Sequence, residues 1–334
     1  MSVISKDIMV YAEFSAGSLH PVSFELLGKA RELAAKASCR VLAIIVGSGL
    51  SEAARELVFH GADVVYTVDH ASMDGFDARL FQQNIVSVVR EIKPGVLLLG
   101  ATPIGRSLGP RVAAALGTGI TADCTELDMT PDGKLVQVRP AFAGNILASI
   151  RTSTRPQTAT VRYRVMKPSA RDTTRKGEII SKQAVATEPS SKILSRTKSK
   201  RMDISNAEII VSVGRGLLKP EDIGMIRELA EALGAVVGSS RPLVDEGWTR
   251  KEQQVGFSGN TVKPRLYIAC GISGSPQHLA GMRDSEHIVA INKDPSAPIF
   301  NVSDVGVQID IYEMVPLLVE EFRKRKERAS TKVR

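Results

Sequence analysis

Short apolar runs alternate with amphipathic segments through the first hundred residues, and this alternation limits the possible folds more than any other feature. Residues 8–12, 40–46 and 96–99 are apolar runs of strand length. Residues 22–36 and 76–92 instead place apolar side chains at helical spacing. Strands that alternate with helices are typical of a parallel sheet with helices on both faces. The first part of the chain is therefore predicted to be a doubly wound α/β domain.

After about residue 120 the pattern changes to strands without intervening helices. The segments 121–128, 135–140, 146–152 and 158–165 have strand character, and Pro-Asp-Gly at residues 131–133 is a hairpin-type turn. Because short turns join antiparallel strands, we expect the first sheet to gain an antiparallel extension.

A second α/β pattern begins near residue 207. A strand at 209–213 leads into Gly-Arg-Gly at 214–216, and a helix that starts near Lys219 ends at Gly234. Further strands and a terminal helix follow. We therefore predict an N-terminal α/β domain over residues 1–187, a basic flexible linker over 188–203, and a doubly wound, Rossmann-like domain over 204–334.

The net charge of +8 is local. Residues 162–203 hold twelve Lys or Arg and four Asp or Glu, so this window carries the whole excess of the chain. It contains one aromatic residue, Tyr163, whereas nucleic-acid surfaces interleave cations with aromatics. We predict no nucleic-acid binding. The charge is interpreted as solvating the predicted linker or as meeting an acidic surface on a partner subunit.

Several classes of protein are not supported by the composition. The sequence contains no run of about 18 apolar residues, so no transmembrane segment is predicted. The first residues lack the basic and apolar regions of a signal peptide, so a cytoplasmic location is expected. Cys39, Cys124 and Cys270 are far apart, so no metal site is predicted. No catalytic triad or Walker A pattern occurs, and no catalytic residue is assigned.

Polar groups concentrate after the predicted strands of the second domain. The segments 238–242, 254–260, 271–278 and 291–294 supply an arginine, a histidine, hydroxyls, amides and glycines. In an open α/β sheet, ligands bind in the crevice at the carboxyl ends of the strands. Two glycine turns, at 214–216 and 271–274, can direct backbone N–H groups at an anion, although each could also be a plain strand–helix turn. This set of groups suits a nucleotide.

The second domain also contains a series of short motifs in a specific order along the chain. Ser240-Arg241, Gln254-Val255-Gly256, Gly271-Ile272-Ser273-Gly274, the QHLAGM run at 277–282 and the AINKD run at 290–294 occur in sequence. The first domain carries Gly-Ala-Thr at 100–102 and Arg-Pro-Ala-Phe at 139–142. The chain resembles the electron-transfer flavoprotein alpha subunit over nearly its whole length, most closely between about 208 and 310.

The resemblance implies that the second domain binds FAD. It places Arg241 against the isoalloxazine ring, where a fixed positive charge favours the reduced flavin. It places Ser258 near flavin N5 and His278 near the C2 carbonyl, whereas Phe257 stands where the family often has Gln. The FAD-binding residues that the resemblance predicts are Arg215, Ser240, Arg241, Gln254, Val255, Gly256, Ser258, Gly259, Gly271, Ser273, Gly274, Gln277, His278, Asn292 and Asp310.

The resemblance also implies partners. A beta subunit would complete the flavin pocket and hold AMP or a second FAD, and an acyl-CoA or other flavin-dependent dehydrogenase would supply electrons. The chain would be an electron carrier rather than a stand-alone enzyme, with electron bifurcation left open. The alternative hypothesis is a regulatory or structural module that binds adenine nucleotides without redox activity.

Overall fold

The structure is a computed structural model that describes residues 5–130, 132–141, 146–191, 194–195 and 204–331. The chain divides into two compact units, Met1–Arg196 and Thr197–Arg334. The predicted linker, 188–203, spans this division. Of its residues, 192–193 and 196–203 lie outside the described ranges, so the linker stays a prediction.

The first unit combines strands and helices in the predicted alternation. Its helices are α1 (Val22–Ala37), α2 (Ser51–Phe59), α3 (Ala78–Ile92) and α4 (Pro103–Leu116). Its strands are β1 (Ile8–Ala12), β2 (Phe14–Ser15), β3 (Ser18–Leu19), β4 (Val41–Gly47), β5 (Val64–Asp69), β6 (Val96–Gly100), β7 (Ile120–Cys124), β8 (Glu126–Met129), β9 (Leu135–Ala141), β10 (Ile146–Ile150), β11 (Gln157–Val161) and β12 (Glu178–Ser181).

Seven strands form the main sheet of this unit in the order β12-β5-β4-β1-β6-β11-β7, and every pairing is parallel. All residues of β1, β4 and β6 are buried, because helices cover both faces of a doubly wound sheet. The chain leaves β1 toward β4 and later returns to its other side at β6. The doubly wound prediction is confirmed.

The predicted antiparallel part is present as a separate sheet of three strands, β10-β9-β8. A hairpin joins β8 to β9, where the Thr130 N–H donates to the Lys134 carbonyl and Gly133 has a φ of +76°. Strand character alone could not separate these strands from β7 and β11, which join the main sheet in parallel.

Helix α4 and strand β12 are among the elements that the sequence patterns missed. Helix α4 contains Gly105, Gly109 and Pro110, which weaken a helical pattern; the Thr102 hydroxyl caps it by accepting the Gly105 N–H at 3.0 Å. Strand β12 has only four residues and pairs with β5, more than a hundred residues earlier in the chain.

The crevice between the carboxyl ends of β1 and β6 is occupied by a side chain of the protein. Glu13 follows β1 and is 4% exposed, and the Thr102 hydroxyl donates to its carboxylate. Burial raises the pKa of Glu13, and the hydrogen bond from Thr102 opposes part of that rise. The position at which this class of sheet receives a ligand therefore holds a carboxyl group in the first unit.

Four of the twelve cations of the basic window are paired within the first unit. The five cations at residues 192–201 lie outside the described ranges, so the interpretation of the charge as linker solvation or partner contact stays a prediction. The Arg171 guanidinium lies 2.7 Å from Glu56, and that of Arg175 lies 2.5 Å from Asp63. The remaining pairs join Arg162 to Asp123 at 2.8 Å and Lys182 to Glu91 at 2.6 Å. These cations fasten the segment after β11 to the α/β core.

The second unit is a parallel sheet of five strands in the order β14-β13-β15-β16-β17. Its strands are β13 (Ile209–Val213), β14 (Val236–Ser239), β15 (Leu266–Cys270), β16 (His287–Asn292) and β17 (Val305–Gln308). Its helices are α5 (Ile223–Leu233), α6 (Arg241–Asp245), α7 (Pro276–Leu279) and α8 (Ile311–Thr331). The Rossmann-like prediction is confirmed. Within the described ranges, no helix has both the length and the apolar character needed to cross a membrane.

Candidate functional site

A cavity of about 450 Å³ lies in the second unit where several strands end. The chain leaves β13 toward β14 and returns on the other side at β15, so this is the switch point of the sheet. Seven of the predicted residues line the cavity: Arg215, Ser240, Gly271, Ser273, His278, Asn292 and Asp310. They come from the ends of β13, β14, β15 and β16 and from the residue that precedes α8.

Two glycine segments form one wall of the cavity, the GRG turn (residues 214–216) and the GISG loop (residues 271–274). The Gly216 N–H donates to the Gly271 carbonyl at 3.0 Å. A Cβ on Gly214 would lie 2.5 Å from the same carbonyl oxygen, and one on Gly271, whose φ is +60°, would lie 2.7 Å from the Gly216 Cα. Only glycine allows this backbone approach, which leaves the wall narrow and rich in peptide groups.

Arg215 is exposed at this wall. The segment that follows the GRG turn is held by Tyr312, whose hydroxyl accepts the Leu218 N–H at 2.8 Å and donates to Asp222 at 2.5 Å. A guanidinium beside a strand end and a glycine turn is suited to bind a phosphate.

Asn292 connects two strand ends. Its amide nitrogen donates to the Ile272 carbonyl at 2.9 Å, and its amide oxygen accepts the Asp294 N–H at 3.0 Å. The neighbouring Lys293 is exposed, and its Nζ lies 4.0 Å from the Asp310 carboxylate. This end of the cavity offers an ammonium and a carboxylate to a ligand, with Asn292 fixing the backbone between them.

His278 is buried in the cavity wall on α7. Its Nε2 lies 2.9 Å from the hydroxyl of Tyr267 on β15. Its Nδ1 is also buried and has no close hydrogen-bond partner among the described residues. Burial lowers the pKa of His278 to about 4, against a smaller opposing effect of the Val255 backbone. The imidazole is therefore neutral near pH 7.

The other eight predicted residues do not line the cavity. They are Arg241, Gln254, Val255, Gly256, Ser258, Gly259, Gly274 and Gln277. Gly274 has a φ of +86°, and a Cβ there would lie 2.3 Å from the Ile299 nitrogen, so this glycine shapes the GISG loop from behind.

Residues 254–259 form a loop that packs against α7. The Phe257 N–H donates to the Gln277 carbonyl at 2.7 Å, and a Cβ on Gly256 would lie 2.9 Å from that same oxygen. Within the loop, the Gln254 amide donates to the Ser258 hydroxyl at 3.0 Å. Ser258 and Phe257 are exposed, so the loop presents a hydroxyl and an aromatic ring to solvent.

Arg241 opens α6 and is exposed as well. Its Nε lies 3.1 Å from the Asp245 carboxylate, in an exposed pair one helical turn apart. Such pairs contribute little to stability, so the guanidinium can exchange Asp245 for another anionic partner.

Sequence reasoning missed eight residues that line the cavity: Gly214, Gly216, Pro242, Ile272, Ser275, Lys293, Asp294 and Ile311. Seven of them lie in segments that the sequence had marked as loops at strand ends. The sequence signal that could have identified these residues is each predicted loop as a whole, because the backbone and the small side chains of these loops form the cavity wall together.

Comparison with known proteins agrees with this geometry. Residues 8–187 match the family model of the electron transfer flavoprotein domain, and residues 203–283 match that of the electron transfer flavoprotein FAD-binding domain. The electron transfer flavoprotein subunit alpha of Thermoanaerobacterium thermosaccharolyticum is 47% identical, over 96% of this chain and 99% of the relative. The lactate dehydrogenase (NAD(+),ferredoxin) subunit LctC of Acetobacterium woodii is 45% identical, over 94% and 76%. Protein FixB of Clostridium saccharobutylicum is 43% identical, over 96% and 97%.

The two matched domains and the cavity define a flavoprotein of electron transfer. More particularly, the chain belongs to the family of electron transfer flavoprotein alpha subunits. Its function is electron transfer through a bound flavin, and the family implies a beta subunit and dehydrogenases as partners. The alternative of a nucleotide-binding module without redox activity has no support among these relatives.

Proposed function

We propose that the cavity of the second unit holds the FAD of this chain, with the pyrophosphate against the wall that the GRG turn and the GISG loop form together. The observation that carries this proposal is the meeting of seven predicted residues, from separate segments of the chain, around one cavity at the switch point of a parallel sheet. The residues present suit such a ligand. A side chain on Gly214 or Gly271 would force the two segments of the wall apart, and the buried Nδ1 of His278 has no close hydrogen-bond partner among the described residues.

Each part of the cavity then has a role. Arg215 and the peptide N–H groups of residues 272–274 bind the pyrophosphate, because they combine a fixed charge with closely spaced donors. Lys293, Asn292 and Asp310 surround the adenosine part at the other strand end. The residues of the chain bind and orient the cofactor, and the bound flavin supplies the redox chemistry.

The isoalloxazine ring lies toward the exposed loop of residues 254–259 and the start of α6. Arg241, Phe257 and Ser258 are exposed there in this chain, which suits a site that a second protein completes. We assign that cover to the beta subunit, which carries AMP or a second FAD of its own. An acyl-CoA or another flavin-dependent dehydrogenase supplies the electrons.

A second candidate function is participation in electron bifurcation. It is favoured by the similarity to LctC, which by its name is a subunit of a lactate dehydrogenase that uses NAD(+) and ferredoxin. The nucleotide of the beta subunit distinguishes the two candidates. One FAD and one AMP per heterodimer fit a simple carrier, and two FAD fit a bifurcating complex.

The test is purification of the chain with its beta subunit, followed by a visible spectrum and by release and quantification of nucleotides. We expect flavin bands, and their loss in Arg215→Gln after gel filtration. Arg227→Gln is the matched control, because Arg227 is an exposed arginine of the same unit that does not line the cavity. A colourless wild-type complex would contradict the proposal, as would equal FAD retention in the two variants.

A further inference from the structure

Lys251 is an exposed lysine that does not line the cavity, yet it makes two hydrogen bonds to the loop of residues 254–259. Its ammonium donates to the side-chain oxygen of Gln254 at 2.6 Å and to the backbone carbonyl of Ser258 at 3.2 Å. Gln254 is buried, with 1% of the residue exposed, and its amide nitrogen donates to the Ser258 hydroxyl at 3.0 Å. The three residues thus form a chain of hydrogen bonds from an ammonium to the hydroxyl of an exposed serine.

The ammonium determines the direction of this chain of hydrogen bonds. A lysine ammonium has three donors and no acceptor, so the atom of Gln254 that faces Lys251 must be its oxygen. The amide nitrogen then faces Ser258, and because that nitrogen only donates, the Ser258 oxygen must accept. The backbone of Gln254 does not compete, because its carbonyl accepts from Asn260 and its N–H donates to the Lys251 carbonyl.

The opposite direction would give the loop a different chemistry. With the amide of Gln254 reversed, the Ser258 hydroxyl would donate to the amide oxygen and would offer only lone pairs to a ligand. The amide NH₂ would then face the ammonium of Lys251, which leaves two donors without an acceptor at a buried side chain. The observed direction avoids this cost, and the Ser258 hydroxyl keeps its own proton for another acceptor.

We propose that Lys251 is a positioning residue that sets the hydrogen-bond direction of this loop, so that Ser258 meets a ligand as a donor. The family resemblance gives Ser258 a place near the flavin and gives Lys251 none. The complementary group on the ligand is an atom with a free lone pair. This step rests on the proposed function, under which that atom belongs to the isoalloxazine ring, and Lys251 acts on the ring through Gln254 and Ser258.

Nuclear magnetic resonance of the full chain with ¹⁵N-labelled glutamine tests the direction without any flavin. The side-chain amide signals of Gln254 are identified by their loss in Gln254→Met. We expect Ser258→Ala to shift these signals and to speed exchange of the amide protons with solvent, because the variant removes their acceptor. Amide protons that do not respond to Ser258→Ala would place the oxygen of Gln254 at Ser258 and would overturn the inference.

Three substitutions of Lys251 test its control of the direction, and because the residue is exposed they leave the core intact. Lys251→Arg keeps a group that only donates, so we expect the Gln254 signals to stay close to those of the wild type. Lys251→Met removes the donor, so exchange of the amide protons should be faster. Lys251→Glu supplies an acceptor, which should attract the amide nitrogen and reverse the amide. Gln254 signals that are the same in the wild type, Lys251→Met and Lys251→Glu would overturn the role of Lys251.

Lys324→Met is the matched control. Lys324 is an exposed lysine of the same unit, and its ammonium lies 2.5 Å from the Glu320 carboxylate, one turn away on α8. Lys251→Met and Lys324→Met each remove one ammonium from the second unit, but only the first of these groups contacts Gln254. We expect Lys324→Met to leave the Gln254 signals unchanged. The same change in both variants would show a general effect of charge and would overturn the assignment.

The consequence for the flavin is measured in the complex with the beta subunit. We expect Lys251→Glu to weaken FAD binding about tenfold, the equivalent of one hydrogen bond, and Lys251→Arg to retain wild-type binding. Most of this loss should disappear when Lys251→Glu is made in the Ser258→Ala variant, because the two residues act through one hydroxyl. An equal loss with and without that hydroxyl would assign the effect to charge alone and would overturn the inference. A complex without FAD, with Gln254 signals that behave as expected, would instead contradict the proposed function alone.

Discussion

The hydroxyl of Ser190 donates to the carboxylate of Asp77 at 2.7 Å, and the Ser190 N–H donates to the same oxygen at 2.9 Å. The other oxygen of Asp77 caps α3 by accepting the Leu80 N–H at 2.9 Å. Asn84, two turns into α3, accepts the Val185 N–H at 2.9 Å. The segment before the predicted linker is therefore held by hydrogen bonds to one helix of the first unit, and so is Ser190 inside the predicted linker.

Asp77→Ala and Ser190→Ala separate the two roles of this carboxylate. We expect Ser190→Ala to speed hydrogen exchange at residues 185–191 with little change in stability, because the cap of α3 remains. Asp77→Ala should do the same and also lower the free energy of unfolding by about 1–2 kcal/mol through loss of the cap. Equal exchange in both variants and the wild type would show that these hydrogen bonds do not hold the segment.

The hydrogen bonds that Asp77 accepts from Ser190 and Ser191 should also depend on pH. Burial opposes ionisation of Asp77, but hydrogen bonds from the Leu80 backbone and from Ser190 and Ser191 outweigh it and lower the pKa to about 2. Because this pKa lies below the ordinary value, the contribution is complete above about pH 4 and is lost as the pH falls toward 2. Exchange at residues 185–191 should rise over this range in the wild type. The rise should be absent in Asp77→Asn, and a parallel rise in both proteins would point to other carboxylates.

Gly271→Ala tests the narrow wall of the cavity. A Cβ at this position meets the Gly216 Cα in a left-handed backbone conformation, so the two glycine segments must separate. We expect a loss of about 1–3 kcal/mol in the free energy of unfolding and the loss of bound FAD. Gly224→Ala is the control, because nothing lies within 4 Å of its Cβ, and a helical alanine should stabilise α5 by up to about 1 kcal/mol. FAD binding that survives Gly271→Ala would exclude this wall as the pyrophosphate site.

Arg241→Ala tests the proposed position of the flavin ring. Removing a fixed positive charge beside the ring destabilises its reduced form, so the reduction potential should fall by about 30 mV for each 1.4 kcal/mol lost in a two-electron step. Arg227→Ala keeps the same change in net charge away from the cavity and should leave the potential unchanged. Equal potentials in both variants would remove Arg241 from the ring environment.

The sequence could predict the two sheets because buried parallel strands are continuous apolar runs, and residues 40–46 or 209–213 show that pattern without any partner. It could not predict β12, because its four residues become a strand only when β5 pairs with them. Helix α4 was hidden for a different reason, since its two glycines and Pro110 are tolerated only through tertiary packing.

The candidate flavin site was predictable from the sequence to a similar extent. Seven residues could be assigned to one cavity because the ends of neighbouring parallel strands lie together. The pair of Tyr267 with His278 could not be predicted, because in the sequence Tyr267 is one of five residues of an apolar strand. The hydrogen-bond partner of its hydroxyl follows only from the side on which α7 packs.

The Glu13 carboxyl group makes the crevice of the first sheet less suited to an anionic ligand than the crevice of the second sheet, although both sheets are doubly wound. An anion that approached the crevice of the first unit would meet the Glu13 carboxyl group, which already accepts the Thr102 hydroxyl. Because Glu13 belongs to the same chain, dilution cannot remove it from the crevice. Asp294 and Asp310 also line the cavity of the second unit, but neither carboxylate is buried, and glycines and Arg215 line the same cavity. One buried glutamate is thus enough to make two similarly wound sheets differ in how an anionic ligand meets them.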